Sequence, residues 1–210
     1  MKVFKFGGAS VKDAEGVRNV IKVLENQEFE SCLLVVSAMG KTTNALEKVV
    51  KEYFEEGDYQ QWIQKIKEEH IGIAGELFEK NHPIFEEIKI IFDEAESFLK
   101  INKSPNYNFV YDQVVTCGEI ISSKILSSYL KESGFSNEWL DARDFIKTDA
   151  NYREGLINWE ITEKNVLKLD NDKFYVTQGF IGSDENNFTV SLGREGSDYS
   201  AAIFAYCLNA

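Results

Sequence analysis

The sequence is short of most residues that advertise a mechanism. It holds three cysteines in 210 residues, Cys32, Cys117 and Cys207, with wide spacing and no C-x-x-C. An odd, scattered set argues against a disulfide framework or a thiolate metal site. Apolar neighbours mark each one as a buried free thiol, which suits a reducing compartment. The only two histidines, His70 and His82, sit among charged residues and read as solvated side chains without catalytic or metal duty. Long apolar runs are missing as well. The apolar start is too short and interrupted for a signal peptide, and residues 203–208 are far too few to cross a bilayer. A soluble protein of the cytoplasm is expected. Positive charge is scarce: 23 Lys and Arg face 35 Asp and Glu, a formal net charge of −12. Such a chain repels a polyphosphate backbone and an anionic membrane surface, so neither is expected as a partner. An anionic substrate would need a local positive site, built from a few basic groups and backbone amides against the global field.

What is present is globular. Hydrophobic residues make up 43% and charged residues 28%, enough apolar side chains for a core and too many for disorder. The length fits one domain, or one domain carrying a small insertion. Val3, Phe4 and Phe6 form a β-type run that stops at Gly7-Gly8. Residues 13–26 read as a helix with Val17, Val20, Ile21 and Leu24 on one face. Leu33-Leu34-Val35-Val36 is a continuous apolar run, the mark of a parallel strand buried on both faces. A loop and another amphipathic helix follow. This alternation predicts an α/β fold with a mainly parallel sheet flanked by helices.

Residues 58–100 carry no strand signal and predict two antiparallel helices, broken at Asn81-His82-Pro83, as a helical insertion. A polar linker leads to a third long helix through Val114, Gly118, Ile121, Ile125 and Tyr129. Strands are expected at 138–140, 174–177 and 188–192, and a helix from Ser197 onward. An end on the apolar run Phe204-Ala205-Tyr206-Cys207-Leu208, within that helix, suggests a fragment of a longer protein.

Four stretches rich in Gly, Ser, Thr and charge, mostly at strand ends, carry the chemistry. The first is Lys5-Phe6-Gly7-Gly8-Ala9-Ser10. Two glycines let the backbone approach a ligand with its amides, and a helix starting near Ser10 would add positive potential suited to phosphate. A plain strand-to-helix turn would use the same glycines. The second is Ser37-Ala38-Met39-Gly40-Lys41-Thr42-Thr43-Asn44. It looks like half of a Walker A loop, but the required first glycine is Val35, so a P-loop is rejected. Thr43 or Asn44 fits an N-cap, or substrate contact. The third is Thr116-Cys117-Gly118-Glu119, inside an apolar helix. Glu119 either faces solvent or is buried and paired. Gly118 costs about 1 kcal/mol in mid-helix, which close approach of another group would explain. The fourth runs Leu192-Gly193-Arg194-Glu195-Gly196-Ser197-Asp198-Tyr199-Ser200. Arg194 offers a planar fork for a carboxylate or phosphate, and Asp198 suits a helix start.

Together, Lys-Phe-Gly-Gly-Ala-Ser-Val, Val-Val-Ser-Ala-x-Gly-x-Thr-x-Asn, Thr-Cys-Gly-Glu and Gly-Arg-Glu-Gly-Ser-Asp-Tyr-Ser-Ala resemble the aspartokinases of the amino-acid kinase superfamily, in order and spacing. The resemblance runs from Lys2 to the last residue. It implies the three-layer α/β/α fold of that superfamily, with residues 1–210 as the N-terminal portion of a catalytic domain and a helical insertion at about 58–104. It implies transfer of the γ-phosphoryl group of ATP to the β-carboxylate of L-aspartate, the first step toward lysine, threonine and methionine. By position it places Lys5, Gly7, Gly8 and Ser10 around the phosphates. It places Ser37, Thr43, Glu119, Phe180, Arg194, Ser197 and Asp198 at the aspartate site, with Lys5 and Asp198 as the catalytic pair. The partners implied are L-aspartate and ATP, with Mg²⁺ carried by the ATP, and a homo-oligomer in the full-length protein. Family members continue into further kinase sequence with most adenine and ribose contacts, and then into ACT domains; these would lie beyond Ala210. The alternatives are another carboxylate kinase of the superfamily, or a non-catalytic amino-acid-binding module.

Overall fold

The structure, a computed structural model, describes residues 1–28 and 31–210. The chain begins with β1 (Lys2–Phe6), α1 (Ala14–Glu25), β2 (Cys32–Val36) and α2 (Thr42–Phe54). Four helices follow: α3 (Tyr59–Leu77), α4 (Ile84–Ile101), α5 (Tyr107–Val115) and α6 (Cys117–Glu132). Then come β3 (Glu138–Trp139), α7 (Ala142–Phe145) and α8 (Trp159–Val166). The last elements are β4 (Phe174–Gln178), β5 (Ile181–Ser183), β6 (Thr189–Ser191) and α9 (Gly196–Leu208).

The main sheet is parallel throughout, in the order β1-β2-β4-β3. All five residues of β2 are buried because strands flank it on both edges and helices cover both faces. Its side chains alternate between two cores. Cys32, Leu34 and Val36 join one with α1 to α6, whereas Leu33 and Val35 join the other with Ile203 and Phe204 of α9. This is the three-layer α/β/α arrangement. Burial desolvates the Cys32 thiol and pushes its pKa up to about 12, so it is an inert core group.

Several local expectations are corrected. The long helix is two helices, because the Thr116 hydroxyl donates to the Asp112 carbonyl at 2.6 Å and competes with the backbone ladder there. The segment after β4 holds a separate antiparallel pair, β5 with β6, registered Ile181 to Ser191. Asp13 caps α1 by accepting from Gly16 N, so that helix starts at Ala14 and not near Ser10. Neither Thr43 nor Asn44 caps α2: Lys41 occupies the N-cap without a side-chain bond.

His70 is not solvated. It is buried on the α3 face formed with Ile63, Ile66 and Ala74. Its Nδ1 lies 2.8 Å from the Ile66 carbonyl and therefore donates, leaving Nε2 to accept from the Thr42 hydroxyl at 3.4 Å. Desolvation lowers its pKa and keeps the ring neutral. Among the described residues, no helix is long and apolar enough to cross a membrane.

Candidate functional site

The carboxyl ends of β1, β2, β4 and β6 open into a cavity of about 800 Å³, the expected place for a ligand in an open α/β sheet. Lys5, Gly8, Ser37, Thr43, Glu119, Phe180, Arg194, Ser197 and Asp198 all line it. Gly7 and Ser10 do not, although the Ser10 N–H donates to the Gly7 carbonyl and closes the turn beneath Lys5. Sequence reasoning missed Tyr111, Asn151, Tyr152 and Arg153, which also line the cavity.

Lys5 stands at the end of β1, and its Nζ lies 3.0 Å from each carboxylate oxygen of Asp198. The same ammonium lies only 3.4 Å from where a Cβ on Gly7 would be. Asp198 therefore holds the cation over the glycine turn. Two helix N-termini face the same space. Neither α2 nor α9 has a side-chain cap; Thr43, Gly196 and Ser197 from their first turns line the cavity, as does Gly40 in the loop just before α2. Uncapped amides and both helix dipoles supply positive potential in an otherwise acidic chain.

Gly8 has a reason of its own. A Cβ there would meet the Ala38 carbonyl at 2.6 Å, and the Gly40 N–H donates to the Gly8 carbonyl at 3.0 Å. The β1 and β2 loops thus touch through bare backbone. Gly8→Ala should force them apart, lowering Tm by several degrees and weakening anion binding together. Thermal melts with and without a nucleotide check this; a variant with wild-type Tm and binding would show that the loops have room to yield.

Glu119 is buried at 3% exposure, in the first turn of α6. Its neighbour Gly118 explains how: a Cβ there would lie 3.0 Å from the Thr42 methyl and 3.2 Å from Ala38. Helix α6 packs so closely against the β2 loop that Glu119 reaches under it, and Ser122 fixes the loop by donating to the Ser37 carbonyl at 2.7 Å. Burial raises the Glu119 pKa to about 8, partly opposed by backbone N–H groups of Glu119 and Ala38. Its Oε2 has no hydrogen-bond partner among the described residues. A desolvated carboxyl with a free oxygen in a cavity invites a cationic donor. Arg194, exposed after β6, makes no ion pair among the described residues and can offer its whole fork. The Phe180 backbone is left-handed at φ 72°, pinned by donation from its N–H to the Ser200 hydroxyl at 2.9 Å, which sets its ring at the cavity wall.

The whole sequence, residues 1–210, matches the amino acid kinase family. An aspartokinase of Chlamydia trachomatis is 32% identical over 204 residues, spanning 96% of this chain and 44% of its own length. The lysine-sensitive aspartokinase 3 of Escherichia coli is 30% identical over 213 residues, covering 99% of this chain and 46% of its own. The crystal structure of E. coli aspartokinase III in complex with aspartate and ADP matches all of this chain with a TM-score of 0.89 at 28% identity, over 47% of that chain. The chain thus spans about half the length of the curated relatives it matches. With a parallel sheet, a cavity at its carboxyl edge and a sequence match over every residue, the chain belongs to the amino acid kinase family.

Proposed function

We propose that the protein is an aspartate kinase, transferring the γ-phosphoryl of ATP to the β-carboxylate of L-aspartate in amino-acid biosynthesis. The observation that carries this reading is the buried carboxyl of Glu119, with an unpartnered oxygen, in the same cavity as the unpaired fork of Arg194 and the Lys5–Asp198 pair. That set suits a zwitterion with a second carboxylate beside a phosphate. Arg194 grips the α-carboxylate, and Glu119 accepts from the α-ammonium. Ser37, Thr43, Phe180 and Ser197 shape the pocket around them. Lys5 and Gly8 receive the phosphates of the MgATP substrate, with Gly7 and Ser10 shaping the turn beneath them and Asp198 orienting Lys5.

The nucleophile is a carboxylate already ionised at neutral pH, so no general base is needed. One β-carboxylate oxygen forms a bond to the γ-phosphorus while the bond to the β,γ-bridging oxygen breaks and ADP leaves. The protein's task is to align two anions and stabilise charge on the transferring group. In this reading the adenine and ribose contacts fall outside residues 1–210, and the natural protein is a cytoplasmic homo-oligomer. Trapping the product with hydroxylamine tests the reading: aspartyl hydroxamate with matched ADP release supports it. Another acid's hydroxamate points to a different carboxylate kinase, and aspartate binding without turnover points to a binding module.

Glu119 also predicts a pH dependence. Free, it holds its proton below about 8; with the ammonium bound, it is ionised. Aspartate affinity should therefore rise about tenfold per pH unit between pH 6 and 8, then level off. Calorimetry in buffers of differing ionisation enthalpy should register up to one proton released per aspartate below pH 8. Without ligand the sign for stability is opposite. The raised pKa means that the folded state binds more protons than the unfolded one, so stability falls as pH rises from 4.5 to about 8. Glu119→Gln should flatten both slopes; unchanged slopes in that variant would assign them to another group.

A further inference from the structure

Arg153 lies in the irregular stretch between α7 and α8, and no role follows for it from the four motifs. It lines the same cavity as Arg194 and Glu119. Three observations set it apart. Its backbone is left-handed at φ 73°, a conformation that suits glycine and that other residues hold only when their surroundings impose it. What imposes it is Asp112. This carboxylate, fully buried in α5, accepts from Arg153 N at 2.8 Å, from Ser191 N at 2.9 Å and from the Ser191 hydroxyl at 2.6 Å. One buried group therefore ties the Arg153 loop to the end of β6, just before Arg194. The two loops also touch directly, since the Arg153 carbonyl lies 3.2 Å from where a Cβ on Gly193 would stand.

The side chain is placed as deliberately as the backbone. The guanidinium stacks over the Tyr111 ring, 4.1 Å from its centroid, on a wall of the cavity. Its nearest acid is Glu47 on α2, at 3.5 Å, longer than a charge-assisted hydrogen bond, and both side chains are over a third exposed. The stacking fixes the plane of the fork, and the loose pair with Glu47 leaves donors on it free. Lys5 is held by Asp198, so Arg153 and Arg194 are the cavity's guanidinium groups able to take a carboxylate.

We propose that Arg153 is a second anion-gripping residue of this cavity, contacting a carboxylate of the acid substrate and selecting a dicarboxylate over a monocarboxylate. The proposal rests on the carboxylate-kinase reading above. A left-handed arginine persists where glycine fits because the guanidinium is needed there.

That trade separates a binding role from a structural one. Arg153→Gly keeps the N–H that Asp112 accepts and removes the backbone strain, so Tm should hold within a few degrees or rise. The aspartate KM should nevertheless increase about tenfold or more, with the ATP KM near the wild-type value. Arg153→Gln, which keeps a polar side chain without charge, should show the same KM shift and decides the matter if the glycine variant melts early. Discrimination between aspartate and alanine, read as Kd by calorimetry, should shrink in both variants. An aspartate KM and Kd unchanged in Arg153→Gly and Arg153→Gln overturn the proposal. Wild-type protein that binds aspartate but never phosphorylates it refutes the kinase reading instead, and the Kd comparison then still decides the role of Arg153.

Discussion

Replacing Lys5 by alanine in the natural protein should lower kcat at least about a hundredfold, the scale lost with one preorganised electrostatic donor at a reacting group. The ammonium sits over the Gly7 turn, clamped by both oxygens of Asp198 at 3.0 Å. It is thus held in place before substrate arrives, which is what makes such a donor effective. The fold should tolerate the change. The Asp198 side chain is 63% exposed, so water takes over its carboxylate and Tm should move little. Asp198→Ala should cost less than Lys5→Ala, because it loosens the cation without removing it. Steady-state ADP release with aspartate, alongside a thermal melt, checks both. Near-normal turnover of Lys5→Ala would remove Lys5 from the catalytic set.

The second large effect concerns the acid's other groups. Arg194→Ala and Glu119→Ala should each raise the aspartate KM about ten- to a hundredfold and leave the ATP KM nearly alone. Each loses a charge-assisted contact worth on the order of 1.5–3 kcal/mol. Arg194→Lys should also be poor, because an ammonium cannot present two parallel donors to a carboxylate. The two sites differ in their stability response. Arg194 is exposed, so its loss should leave Tm unchanged. Glu119 is buried with an unpartnered oxygen, so Glu119→Gln removes a desolvated acid and should hold or raise Tm above pH 8. A shift in the ATP KM instead would move both residues to the nucleotide half.

How much of this the sequence announced depends on the kind of signal. The parallel sheet was legible because β2 is an unbroken apolar run, which a strand buried on both faces must be. Three of the motifs were legible because Gly, Ser and Thr interrupt apolar runs where strands end, and the remaining one because Gly118 and Glu119 interrupt an apolar helix. The burial of Glu119 was left open between solvent and core, and the packing around Gly118 decides it. The break at Thr116 was invisible, since Val114, Gly118 and Ile121 keep helical phase across it. β6 falls within the strand expected at 188–192, whereas β5, and with it the separate pair, was hidden because three residues are too few for an alternation to register. His70 was misread from its charged sequence neighbours. Its spacing with Ile63, Ile66 and Ala74 is the better guide, and it marks a buried stripe. Arg153 had no periodic context at all; only the fold brings its loop to Asp112 and the end of β6.

The tie between Lys5 and Asp198 spans 193 positions of sequence, joining the first strand to the last helix. A site arranged this way depends on contacts between distant parts of the sequence. The packing of α2 on α3 and of α3 on α4 joins neighbours in sequence and closes short loops, whereas the pairing of β2 with β4 closes a far longer one. Because the site exists only in the complete fold, any acid or phosphate that binds there draws the whole equilibrium toward it, and holds α9 against β1 most of all.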